Sequence, residues 1–153
     1  MPGTFSQVYI QVVFAVKGRV NLIGKQWKDE FHKYIAGIIK GKEQKPIIVN
    51  GMPDHIHAFI GLKPSMAISD LVRDVKNNSP NFVNGKKWVR GKFSWQEGYD
   101  AFSYSHSQLD RVYKYIMNQE EHHKKKTFRE EYVSFLRKFD VPFEERFLFD
   151  WLD

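Results

Sequence analysis

The sequence contains no cysteine, which excludes disulfide bridges, thiolate metal sites, iron–sulfur clusters and cysteine nucleophiles. It also lacks a long hydrophobic run. The most apolar stretch, from Val8 to Val16, is nine residues long and is interrupted by Gln11, whereas a membrane span needs about 20 residues. Residues 1–7 show no basic region of the kind that begins a signal peptide. We therefore expect a soluble, intracellular protein that does not enter a membrane.

Three motifs of common enzymes are missing as well, namely a glycine-rich phosphate loop, a GxSxG string and a paired-carboxylate motif. The chain is instead rich in aromatic residues (16%) and carries a net charge of +6. Its apolar share of 42% in 153 residues is enough for one folded domain, which we place over residues 1–153. The positive charge favours a polyanionic partner, and nucleic acid and anionic lipid both remain open.

The spacing of apolar residues predicts the order strand, helix, strand, strand, helix, strand, followed by appended helices. This order is typical of a ferredoxin-like split βαβ arrangement, an α+β fold with an antiparallel sheet and helices on one face. The predicted strands lie at 7–16, 45–50 and 55–62, with a strand region at 93–104. The predicted helices lie at 26–40, from Ser65 as cap to about 77–81 near Pro80, at about 108–122 and at 128–138, before a tail at about 140–153.

Two histidines flank one hydrophobic residue in the string from Pro53 to His57. Side chains alternate across a strand, so His55 and His57 point to one face and Ile56 to the other. Two adjacent imidazoles bind one divalent metal when a further ligand comes from elsewhere in the chain. Short His-x-His strings are common, so a pair of hydrogen-bonded histidines on a sheet remains an alternative interpretation.

On the helix predicted at 108–122, Tyr115 and Gln119 are four residues apart and are therefore neighbours on one face. The apolar stripe of this helix includes Tyr113, which we predict to be a packing residue. Tyr115 lies roughly 115° from the centre of that stripe, so it is free to face a site. An exposed tyrosine at the flank of a helix is the alternative interpretation.

Basic residues form two clusters. The basic loop cluster surrounds Trp88 and suits phosphate contact together with base stacking on a single strand. We predict that it binds nucleic acid, because no helix or strand face accounts for the tryptophan. The second cluster, at 122–126 with Arg129, is explained equally well as a solvated helix end, where cations favour the helix dipole. The basic loop cluster consists of Lys86, Lys87, Trp88, Arg90 and Lys92.

Together these strings resemble the single-tyrosine HUH transposases, the small proteins of the IS-two-hundred-like insertion sequences. The string PDHIH at 53–57 is similar to the family's His-hydrophobic-His pair, and YKYIMNQ at 113–119 is similar to its catalytic helix. The similarity extends over about residues 5–150. The resemblance implies that Tyr115 is the nucleophile and that His55, His57 and Gln119 hold one Mg²⁺ or Mn²⁺ ion.

The resemblance also implies a DNA transposase that cleaves and rejoins single-stranded DNA through a 5′-phosphotyrosine intermediate. Such proteins recognise hairpins at the ends of the element, and Lys17, Arg19 and the basic loop cluster are our candidates for DNA contact. A homodimer is implied as well, with the tyrosine helix of one subunit completing the histidine site of the other. The implied location is cytoplasmic and nucleoid-associated in a prokaryote.

Two other functions stay open on the sequence. One is a non-catalytic nucleic-acid-binding module on the same fold, for which Tyr115 and a metal would be irrelevant. The other is a metal-dependent phosphodiesterase that activates water and never becomes linked to DNA. Chromosomal transposase-like proteins that process repeated palindromes are a variant of the transposase reading.

Overall fold

The computed structural model of the chain describes residues 5–123 and 127–138. The predicted tail at about 140–153 lies outside these residues, as do 124–126 of the second basic cluster. Within the described ranges, no helix combines the length and the apolar character that crossing a membrane requires.

A four-stranded antiparallel sheet forms the centre of the protein, with the strand order β2-β3-β1-β4. This order is that of the ferredoxin-like split βαβ fold, so the predicted α+β fold class is confirmed. β1 lies between β3 and β4 and is buried along nearly its whole length. Its successive side chains point to opposite faces of the sheet, and both faces are covered. The strands are β1 Tyr9–Ala15, β2 Lys45–Met52, β3 His55–Gly61 and β4 Asp100–Tyr104.

Five helices are described: α1 Lys28–Gly41, α2 Ile68–Lys86, α3 Leu109–Met117, α4 Gln119–His123 and α5 Phe128–Lys138. Two expectations about α2 were wrong. The helix begins after Ala67 rather than after Ser65, and it continues through Pro80 to Lys86. Its buried face extends past the proline to Val83, and this packing outweighs the single backbone hydrogen bond that a proline removes.

The two faces of the sheet differ in chemistry. The main core lies between the sheet and helices α1 and α2, and Ile56 belongs to it. The opposite face carries Phe59, on which Val112 and Ile116 of α3 pack. The histidines on either side of Ile56 point to this second face, as the alternation predicts, and both are fully buried. The sequence predicts helices on one face of the sheet, whereas in the structure α3 covers part of the other face as well.

The helix predicted at 108–122 is broken into α3 and α4 at Asn118, whose φ of −97° and ψ of 30° leave helical geometry. The side chain of Asn50 on β2 donates hydrogen bonds to the carbonyl oxygens of Ile116 (2.9 Å) and Met117 (3.2 Å). These carbonyls lie in the last turn of α3 and would otherwise lack partners. The sheet therefore fixes the end of α3. Tyr113, predicted to pack, is instead 37% exposed.

Candidate metal and nucleophile site

Three buried side chains meet beneath α3 on the second face of the sheet: His55, His57 and Glu131. The Nε2 atom of His57 lies 3.1 Å from Oε1 of Glu131, and the Nε2 atom of His55 lies 3.8 Å from the same oxygen. The possible ligand atoms of the three residues all lie within 4.8 Å of one another. Two imidazoles and a carboxylate at this separation are suited to binding one divalent cation.

Each histidine is oriented by a hydrogen bond on its other ring nitrogen. Nδ1 of His55 lies 2.7 Å from Oδ1 of Asp54, and Nδ1 of His57 lies 2.7 Å from Oε1 of Gln11. Both partners are acceptors, so Nδ1 donates in each ring, and Nε2 is the nitrogen that faces the cluster. The partner atoms thus select the tautomer that binds a metal.

Both acceptors are themselves held in place. Arg19 donates from Nε to Oδ2 of Asp54 at 3.1 Å, and the amide of Gln11 donates to the hydroxyl of Tyr104 at 2.9 Å. Burial raises the pKa of Asp54, but the hydrogen bonds from His55 and Arg19 and the charge of Arg19 outweigh it, so this pKa lies below its ordinary value. Asp54 is therefore an anion at neutral pH.

The charge state of His55 also suits a ligand. Its complete burial lowers the pKa below the ordinary value, against the raising effect of the hydrogen bond to Asp54. A neutral imidazole is the form that binds a metal.

Tyr115 lies at the edge of the cluster. Its hydroxyl donates a hydrogen bond to Oε2 of Glu131, and the centroid of its ring lies 6.3 Å from that of His57. Burial raises the pKa of Tyr115 above its ordinary value, and the charge of Glu131 and the hydrogen bond to it raise it further. The resting residue is therefore a phenol with an acceptor for its proton already in place.

Gln119, the first residue of α4, is fully buried; neither atom of its side-chain amide makes a hydrogen bond of ordinary geometry with the described residues, although its contact with Tyr115 opposes the rise in the pKa of that phenol. Such orphaned polar atoms are rare in protein interiors and call for a ligand, an ion or water. The amide oxygen and the carboxylate of Glu131 suit Mg²⁺ and Mn²⁺, while the imidazoles suit later transition metals as well. The residues present therefore fit a divalent cation.

Sequence reasoning brought forward His55, His57, Tyr115 and Gln119 but missed Glu131. A signal was present: in the segment predicted at 128–138, Glu131 occupies the helical spacing of the aromatic residues at 128, 132 and 135. A carboxylate within an apolar stripe is unusual unless it has a buried partner.

Among the residues predicted to contact DNA, Arg19 reaches the cluster through its bond to Asp54, whereas Trp88 lies on the opposite face of the sheet. Trp88 stacks on Trp27 with ring centroids 4.7 Å apart and packs against the main core on the first face. The tryptophan therefore has a packing partner, which the sequence pattern did not reveal. Arg19 is held by Asp54. The other predicted contacts are exposed cations: Lys17, Lys86, Lys87, Arg90 and Lys92.

Comparison with known proteins identifies the family of the chain. The family model described as "Transposase IS200 like" matches residues 4–119. This span includes both histidines, Tyr115 and Gln119, and ends before Glu131. A curated relative, the ISDra2 transposase TnpA of Deinococcus radiodurans, is 24% identical over 122 residues, which are 76% of this chain and 87% of the relative.

Two solved structures share the fold. A candidate transposase from Deinococcus radiodurans R1 superposes with a TM-score of 0.61 at 21% identity, over 78% of this chain and 95% of that one. The REP-associated tyrosine transposase bound to a REP hairpin superposes with a TM-score of 0.56 at 15% identity, over 80% of this chain and 74% of that one. At such identities the likeness concerns the fold.

Proposed function

We propose, from the premise that this chain belongs to the IS200-like transposase family, that it cleaves and rejoins single-stranded DNA through a covalent bond to Tyr115. The observation that carries the proposal is the position of the Tyr115 hydroxyl, which is bonded to the carboxylate that also contacts the histidine pair. A nucleophile beside a base and a candidate metal site is the arrangement that phosphoryl transfer requires.

In this mechanism the phenolic oxygen of Tyr115 attacks the scissile phosphorus, and Glu131 accepts the phenolic proton. A bond forms between the tyrosine oxygen and the 5′ phosphate, the bond to the 3′ oxygen breaks, and that oxygen leaves as a 3′-OH after taking up a proton. The phosphotyrosine retains the energy of the phosphodiester. A 3′-OH from another strand can therefore reverse the step without ATP, so one chemistry serves excision and insertion.

His55, His57 and Gln119 would hold the Mg²⁺ or Mn²⁺ ion, with Glu131 as a further oxygen ligand that the geometry adds. When bound, such a cation polarises the scissile phosphate and neutralises the charge that develops on it. Asp54 and Gln11 would keep both imidazoles in the ligating tautomer throughout.

The DNA partner is proposed to carry hairpins, by analogy with the structural relative bound to a REP hairpin. Lys17 and the basic loop cluster would contact the backbone, since most protein–DNA hydrogen bonds go to phosphates and sugars. If its bond to Asp54 persists on DNA, Arg19 would orient Asp54 instead of contacting DNA, the role that the sequence predicts for it. With this substrate, the protein would work in the cytoplasm at the nucleoid.

We also propose a homodimer that exchanges α3 between subunits, as the resemblance implies. In the described chain α3 lies on its own sheet and brings Tyr115 to His57 of the same chain, so the exchange requires α3 to leave that sheet. Mixing Tyr115→Phe protein with His57→Ala protein tests this directly. Adduct formation by the mixture alone supports exchange, and its absence supports action within one chain.

Covalent trapping tests the function itself. The protein is incubated with single-stranded DNA carrying hairpins from its own genomic flanks and with Mg²⁺ or Mn²⁺, and the products are separated on a denaturing gel. We expect a protein–DNA band that EDTA, Tyr115→Phe or His57→Ala removes. Tyr113→Phe is the matched control, because this exposed tyrosine lies two residues away on the same helix.

The other outcomes identify the alternatives. Cleavage without a covalent band, retained by Tyr115→Phe, indicates a phosphodiesterase that uses water. Binding with neither cleavage nor a band, across several flanking sequences, indicates a nucleic-acid-binding module.

A further inference from the structure

A cavity of about 240 Å³ lies between the start of α1, the β2–β3 turn and α4. Two of its wall residues are neighbours in sequence of the candidate site: Pro53 precedes Asp54, and Glu120 follows Gln119. Apolar atoms form most of its surface, contributed in part by Ile23 and Met52. Nothing in the proposed transfer step uses this cavity.

The polar group that points to a ligand is His32, which lines the cavity and is 7% exposed. Its Nε2 atom is buried and has no hydrogen-bond partner among the residues that the structure describes. Burial, together with the nearby charge of Lys28, lowers the pKa of His32 to about 4, so the ring is neutral at pH 7. A buried polar atom without a partner is costly unless a ligand or water satisfies it.

The charges around the cavity favour an uncharged ligand inside it. The ammonium group of Lys28 pairs with Glu120 across the opening at 2.9 Å, so these two charges cancel. Lys25 is exposed at the rim and makes no ion pair within the described part of the chain. An apolar wall with one neutral hydrogen-bonding group suits a heterocyclic ring, and a cation at the rim suits a phosphate attached to that ring.

We propose that this cavity binds one unstacked nucleobase of the single-stranded DNA, with His32 contacting the edge of the base and Lys25 its phosphate. The inference rests on the proposed function, which supplies the DNA. It adds that the protein itself prefers a particular base at one position of the strand. Because Pro53 and Glu120 in the wall are sequence neighbours of Asp54 and Gln119, we place this base in a nucleotide near the scissile phosphate. Enzymes that act on nucleic acid commonly read an extruded base in this way, by its edge and by apolar contact.

Fluorescence anisotropy in EDTA measures binding without cleavage. The probe is a labelled single-stranded oligonucleotide carrying a flanking hairpin, and a series of otherwise identical probes has one abasic nucleotide at each successive position. For the unaltered protein we expect one position at which the missing base weakens binding about tenfold. Two variants test the cavity independently: His32→Leu removes its hydrogen-bonding group, and Met52→Phe fills it from a half-buried position in the wall. Each variant should bind the complete and the abasic probe equally.

Lys25→Ala should weaken binding of both probes alike, and by more than Lys40→Ala, which removes an exposed cation from the far end of α1, the helix that follows Lys25. A mere loss of folding would weaken all probes and leave the tenfold ratio unchanged, so the ratio is the diagnostic quantity. The inference is overturned if no abasic position weakens binding, or if the ratio persists in both cavity variants. Covalent trapping on the complete strand reports separately whether the proposed function holds.

Discussion

Glu131 accepts a hydrogen bond from the hydroxyl of Tyr115 on Oε2, while its Oε1 lies 3.1 Å from Nε2 of His57. One buried carboxylate thus connects the proposed nucleophile to a proposed metal ligand. It lies on α5, beyond the part of the chain that the family model matches. Whether this carboxylate acts on the tyrosine alone or also on the metal is open to measurement.

The first prediction concerns the oxygen ligands. Glu131→Gln should weaken Mn²⁺ binding about tenfold or more, because it removes a negatively charged donor from the cluster. Gln119→Leu should weaken binding by less, because the lost donor is neutral. Titration calorimetry without DNA measures both, and Glu130→Gln, an exposed neighbour on the same helix, should leave the affinity unchanged. If only Gln119→Leu has an effect, Glu131 is a partner of Tyr115 and not a ligand.

The second prediction concerns stability at low pH. The pKa of His32 is lowered from 6.5 to about 4 in the folded chain, so the unfolded chain binds the proton more tightly. This contribution to stability is complete above about pH 6.5 and is lost as the pH falls towards 4, by up to ~3 kcal/mol. Urea unfolding over this range should give a shallower loss for His32→Leu than for the unaltered protein. Equal pH dependence in the two proteins would contradict it.

The third prediction tests the attachment of α3 to the sheet. Asn50→Ala removes the donor to the carbonyls of Ile116 and Met117 and should lower the free energy of unfolding by about 1 kcal/mol. It should also slow adduct formation, because Tyr115 and Gln119 flank this attachment. Asn78→Ala is the control, since Asn78 lies on the exposed side of α2 and bonds a carbonyl of its own helix. Urea denaturation measures the stability, and single-turnover trapping measures the rate of adduct formation. If the control also reacts more slowly, the effect does not come from the attachment of α3 to the sheet.

The fourth prediction separates packing from DNA contact in the basic loop cluster. Arg90→Ala and Lys92→Ala should each reduce the slope of log K against log salt by about 0.7 for a single strand, without loss of stability. Trp88→Ala should lower stability by about 2 kcal/mol, because its ring stacks on Trp27. Anisotropy titrations at several salt concentrations, with Lys40→Ala as a surface control, measure the slopes. An unchanged slope for both cation variants would exclude these residues from the phosphate contacts.

Much of the fold followed from the sequence because it depends on local periodicity. The alternation on β3 alone gives the shared face of His55 and His57. The expected end of α2 near Pro80 was wrong, because the burial of Val83 in the core outweighs the tendency of a proline to end a helix. The role assigned to Trp88 overlooked Trp27, which is distant in sequence and adjacent in space.

The candidate site was predictable only in part. Tyr115 was found by resemblance, but its contact with Glu131 joins two helices, and the approach of one helix to another leaves no periodic signal. The break at Asn118 likewise depends on Asn50 from β2. Spacing within one helix could not reveal either contact.

The alternation along β3 also has a consequence for folding errors. If β3 paired with β1 one residue out of register, Ile56 would take the place of the histidines, and both histidines would enter the apolar layer. Such a register error would therefore disrupt the hydrophobic core and separate the ligand cluster at the same time. A mispaired copy would therefore lose its stability and its His55–His57 cluster together.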